Sequence, residues 1–97
     1  MPFDQDKTSL FEDLQNAIVN GRYQDAIDLA IEIYGINASG INGKPTYDRG
    51  IDGEGETNSD RCVHIGPAAF SSLGWLASSI GHEAVHARAI RDRGWPT

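Results

Sequence analysis

Cysteine is nearly absent from this sequence, and so is any surplus of positive charge. The one cysteine, Cys62, has no partner for an intrachain disulfide. No oxidised framework therefore holds the fold, which fits folding in a reducing cytosol. Lys and Arg number 8 against 14 Asp and Glu, a net charge of −6. A phosphate backbone is bound by excess base, so nucleic acid is excluded as the main partner. The bases that do gather, Arg88, Arg91 and Arg93, are placed to complement the C-terminal end of a helix. No apolar run approaches the ~20 residues of a membrane span. The N-terminal run Met1-Pro2-Phe3-Asp4-Gln5-Asp6 is acidic and lacks the apolar stretch of a signal peptide. A role outside the producing cell would therefore need a dedicated carrier. No phosphate loop is present either, because Gly43-Lys44 runs straight into Pro45 without the required glycine spacing.

What the chain does contain suits one domain with a modest core: 97 residues, 39% hydrophobic and 23% charged. Leu10, Leu14, Ala17 and Ile18 form one stripe of a helix predicted over Thr8 to Asn20, with Thr8 or Ser9 as its cap. Gly21 breaks that pattern. Tyr23, Ala26, Ile27, Ala30, Ile31 and Tyr34 form the apolar face of a second helix that Gly35 terminates. The two make a helical hairpin over residues 8–35, and nothing recurs afterwards that would make it a solenoid repeat.

Residues 36–66 are punctuated by Gly, Asn, Pro and Asp, which predicts turns with short strands near Ile41 and Thr46-Tyr47. The acidic run Asp48, Asp52, Glu54, Glu56, Asp60 lacks the ligand spacing of a helix-loop-helix calcium site. It reads as a solvated loop or a substrate-facing rim. Arg61 to Ile65 is a further strand, with Cys62 and His64 on one face and Val63 and Ile65 on the other. Gly66-Pro67 ends it. Residues 67–93 then read as one long helix, jointed near Gly74, with Leu73, Leu76, Ala77, Ile80, Ala84 and Ala87 buried and Gly94 and Pro96 closing it. The expected class is α+β: an N-terminal helical hairpin, a small β element and a long active-site helix.

That last helix carries His82-Glu83-Ala84-Val85-His86. Histidines four apart project about 40° from one another on a helix, so both imidazoles can meet one ion. Glu83 flanks the same face without being a ligand. In such a site Zn2+ polarises a carbonyl and lowers the pKa of its bound water towards neutrality, and Glu83 is the base that takes the water proton. The small neighbours Gly81, Ala84 and Ala87 are expected to let the helix pack closely. The plainer alternative is a surface helix with ordinary polar histidines.

A catalytic zinc takes three protein ligands and a water, and the third is not evident. Asp92 stands at a spacing used by some zinc peptidases, but Ala89 replaces the glycine that would turn the chain back. On a continuous helix Asp92 lies about 9 Å beyond His86. His64 and Cys62 are further candidates from the preceding strand. The remaining expectation is a ligand from chain beyond Thr97 or from a second polypeptide.

The runs His64-Ile65-Gly66-Pro67-Ala68-Ala69-Phe70 and Leu76-Ala77-Ser78-Ser79-Ile80-Gly81-His82-Glu83-Ala84-Val85-His86 resemble zincin-like metallopeptidase toxin domains found at the C-termini of bacterial polymorphic toxins, including Rhs-type effectors. The likeness covers residues 36–93. It implies His82 and His86 as metal ligands, Glu83 as catalytic base, and a glutamate from a later helix as third ligand, for which no position matches here. A truncated, cleaved or two-chain form is the implied explanation. The resemblance also implies a protein or peptide substrate lying beside the strand around Val63 and an immunity partner. It further implies cytoplasmic synthesis followed by export through a specialised secretion system. Two other functions compete: a non-enzymatic binding or assembly fragment of a larger effector, and metal-dependent hydrolysis of something other than peptide.

Overall fold

Two helices ending in the same way open the structure. The computed structural model describes residues 2–95, with side chains from Thr8 onward. Helix α1 spans Pro2–Val19 and α2 spans Tyr23–Tyr34. At the end of α1, Arg22 N–H donates to Ala17 O (2.8 Å) and Gly21 N–H to Ile18 O (3.1 Å). At the end of α2, Ile36 N–H donates to Ile31 O (3.1 Å) and Gly35 N–H to Glu32 O (3.4 Å). Gly21 (φ 74°) and Gly35 (φ 62°) adopt the left-handed conformation that this closure requires. The hairpin forms as expected, but α1 starts upstream of Thr8. No helix breaker follows Pro2, so Thr8 and Ser9 lie inside the helix and do not cap it.

Three short strands follow: β1 (Thr46–Tyr47), β2 (Gly55–Thr57) and β3 (Val63–Ile65). Their order is β1-β3-β2, with β1 parallel and β2 antiparallel to the central β3. The side chain of Gln24 docks β1 onto α2, accepting from Tyr47 N–H (2.9 Å) and donating to Pro45 O (3.0 Å). Tyr23, Tyr47 and Phe70 pack their rings at 4.7–5.5 Å over the same junction. The strand expected near Ile41 does not form. Ile41 is buried in a turn, its N–H bonded to Ala38 O. There Gly40 lies so close to α3 that an added Cβ would sit 2.6 Å from the Arg88 nitrogen.

The segment 67–93 is two elements. Residues Pro67–Ser71 form a 3-10 turn, and α3 runs over Leu73–Arg93. The joint is Ser72, not Gly74: its backbone is extended (φ −157°, ψ 165°) and its hydroxyl accepts Trp75 N–H at 3.0 Å. Leu76, Ile80, Ala84 and Ala87 bury as expected, joined by Ser79, Glu83 and Ile90, while Leu73 and Ala77 are half-buried. The face packs against Val63 and Ile65 of the sheet and Ile27 and Ala30 of α2 in one apolar cluster. The architecture is α+β. Among the described residues no helix is long and apolar enough to cross a membrane.

Candidate metal-binding and hydrolytic site

Halfway along α3 the buried stripe turns into a polar corner. His82 and His86 are exposed and Glu83, 7% exposed, is tucked under the sheet. The two imidazoles face each other with centroids 4.5 Å apart and planes at 86°. Their Nε2 atoms are 3.0 Å apart, at hydrogen-bond distance from each other. Two nitrogens bound at about 2.0–2.1 Å to one tetrahedral ion stand about 3.3 Å apart, so a few tenths of an ångström separate this arrangement from a shared coordination edge.

Strand β2 positions the carboxylate. Thr57 Oγ1 donates to Glu83 Oε1 at 2.7 Å and lies 3.2 Å from the Glu83 carbonyl oxygen. Among the described residues Oε2 has no hydrogen-bond partner, and it keeps solvent contact. The close approach needs glycine at 55, where an added Cβ would meet His64 O at 2.9 Å and Glu83 Cγ at 3.4 Å. A cleft of about 240 Å³ opens beside these groups, lined by Glu54, Trp75, Ser78, Ser79, His82 and Glu83.

The other candidate ligands lie elsewhere. His64 faces Thr46 (Nδ1 to Oγ1, 3.4 Å) and pairs with Glu56 across the strands. That is the sheet face opposite the one on which Val63 and Ile65 meet α3. Cys62 precedes β3, and burial, followed by its contact with Asp60, pushes its thiol pKa up, away from the thiolate a metal requires. Asp92 lies further along an unbroken α3, bonded to Arg91 (3.0 Å), which holds its carboxyl below the ordinary carboxylate range. Among the described residues no three His, Cys, Asp or Glu side chains are grouped to hold an ion. The described residues would therefore offer a zinc ion two imidazole ligands and no third. Arg91 stands in the last turn of α3, and Arg88 and Arg91 also reach Asn37 O and Ser39 Oγ of the loop before β1.

No family model, curated protein or solved structure matches this chain. The site stands on its geometry.

The strand around Val63 is not the one with a free edge. β3 is central, and β2 is the edge strand beside Glu83. Gly66 N–H donates to Glu54 O and Asn58 N–H to Cys62 O. Alternation along an antiparallel pair then leaves the backbone groups of Gly55 and Thr57 pointing outward. Reading the sequence alone missed β2, Thr57 and the place of Glu54 in the cleft. The one signal was the alternation Glu54-Gly55-Glu56-Thr57, outweighed by a glycine- and acid-rich composition that reads as loop.

Proposed function

We propose that this chain carries the two-histidine half and the general base of a zinc-dependent peptidase, of the kind deployed as a bacterial toxin effector. The observation that carries the reading is the approach of the His82 and His86 Nε2 atoms to 3.0 Å, with His82 lining one cleft together with the buried Glu83. His82 and His86 would hold the metal, with a third ligand from outside the described residues. Zinc, when bound, polarises the scissile carbonyl and acidifies water. Glu83 Oε2 takes the proton of the attacking water while Thr57 holds Oε1. As the carbon–nitrogen bond breaks, Glu83 returns the proton to the leaving amine. The outward backbone groups of Gly55 and Thr57 support an extended peptide as substrate, since they can pair with it as an added strand. Export into a target cell and an immunity partner rest on the resemblance of residues 36–93 to toxin domains.

The second reading is a non-enzymatic assembly element. The absence of a third ligand among the described residues favours it.

Metal content by elemental analysis, for the wild type and a His82→Ala/His86→Ala variant, tests the site. Zinc near one per chain, lost in the variant, is expected. No uptake from excess zinc overturns the reading for this chain. Glu83→Gln separates the two functions: it keeps the metal and loses hydrolysis if the protein is a peptidase, and changes neither property if the helix only assembles.

A further inference from the structure

The cleft next to the histidines has a shape and charge of its own. At about 240 Å³ it falls below the roughly 300–1,000 Å³ that takes a drug-sized ligand, and suits one side chain. Its wall is Trp75, 45% exposed although it is among the largest apolar side chains present. Of its polar lining, the Ser79 hydroxyl is already engaged with Trp75 O at 2.8 Å. Glu54 stands at the cleft and has no ion-pair partner among the described residues, where the pairs found are Arg22–Asp25, Lys44–Asp28 and Arg91–Asp92. The lining thus holds two carboxylates, Glu54 and Glu83, and no Lys or Arg. The N-terminus of α3 opposes them with only about half a positive charge, and its Trp75 N–H is already satisfied by Ser72.

We infer that this cleft is a subsite for a cationic side chain, arginine or lysine, whose stem lies on Trp75 and whose charge meets Glu54. An aromatic face and an unpaired carboxylate together favour a cation over a neutral side chain of the same shape. The subsite deepens the peptidase reading and rests on it for its place in catalysis. Trp75 and His82 are two turns apart, about 10 Å along the axis, which is the reach of about three extended residues. The basic residue of the substrate therefore lies within three positions of the bond to be cut.

The test needs no turnover. The indole and amide signals of 15N-labelled protein are followed by NMR during titration with Nα-acetyl-arginine amide and its uncharged isostere Nα-acetyl-citrulline amide. Trp75→Phe separates the Trp75 indole from that of Trp95. Saturable shifts at Trp75 and at residues 53–55 are expected, with the arginine compound binding at least about fivefold tighter. Glu54→Gln, at an exposed position, should remove that preference. Equal binding of the two compounds, no shift at Trp75, or an unchanged preference in Glu54→Gln overturns the inference. Zinc content of the same samples reports separately on the peptidase reading. A protein that selects arginine but takes up no zinc loses that reading and keeps the subsite, and the converse result does the opposite.

Discussion

At the scale of single residues, the site depends on a few close approaches. Thr57 ties β2 to Glu83 with a short bond to a nearly buried carboxylate. Hydrogen bonds to charged groups are worth about 1.5–3 kcal/mol, so Thr57→Val should lower unfolding free energy by roughly that amount in urea titrations, whereas Thr57→Ser should retain most of it. The glycines divide by what surrounds them. A Cβ at Gly40 would overlap the Arg88 backbone, but at Gly81 it would meet nothing within 4 Å. Gly81→Ala should therefore stabilise the helix by about 0.5–1 kcal/mol. Gly40→Ala should destabilise by about 1–3 kcal/mol, the usual range for overpacking. Equal effects in thermal melts would contradict this packing. The expectation that Gly81 serves close packing is thereby corrected: Ala84 and Ala87 are buried in the core cluster, and Gly81 has room to spare.

At the scale of elements, α3 does two jobs on two faces. Leu76, Ile80, Ala84 and Ala87 anchor it in the core, while Trp75, His82, Val85 and His86 stay exposed. Its start is set by Ser72, whose hydroxyl replaces a missing helical partner for Trp75 N–H. Ser72→Ala should cost about 1 kcal/mol and fray the turn bearing Trp75, seen as faster amide exchange at residues 73–76. Unchanged exchange there would mean the cap is not what holds this end. The sheet is narrower, with strands of two or three residues, and it is held by α2 through Gln24 and by α3 through Thr57.

At the scale of the molecule, ligand binding and protonation should both move stability. Anything that binds only the native state stabilises it, by about 2.7 kcal/mol at a hundred times its dissociation constant. Zinc should therefore raise the melting temperature of the wild type and leave His82→Ala/His86→Ala unmoved. Asp60, through its bond to Cys62 N–H, and Asp92, through Arg91, have pKa values below the ordinary 3.8. A carboxyl lowered in the native state contributes stability that is complete above its unfolded value and is lost as pH falls through its folded value. Both groups are exposed, so the effect is small and confined to strongly acidic pH. Asp60→Asn should flatten that acid limb, and an unaltered limb would remove Asp60 from the account.

The helices and the placing of His82 and His86 side by side on α3 were legible in the sequence because helical periodicity and i, i+4 spacing are local properties. So was the alternation that turns His64 away from α3. The ending of α2 at Gly35 was equally local, since only a residue free to adopt positive φ closes that turn. Tertiary structure decided the rest. β2 exists because β3 offers it hydrogen bonds and because Gly55 lets it approach Glu83, neither of which its own composition reveals. Which strand keeps a free edge depends on sheet order, and the cleft of Glu54 and Trp75 joins residues 21 positions apart in the chain. Long-range pairing and shared cavities are properties of the packed chain, so no local pattern of residues encodes them.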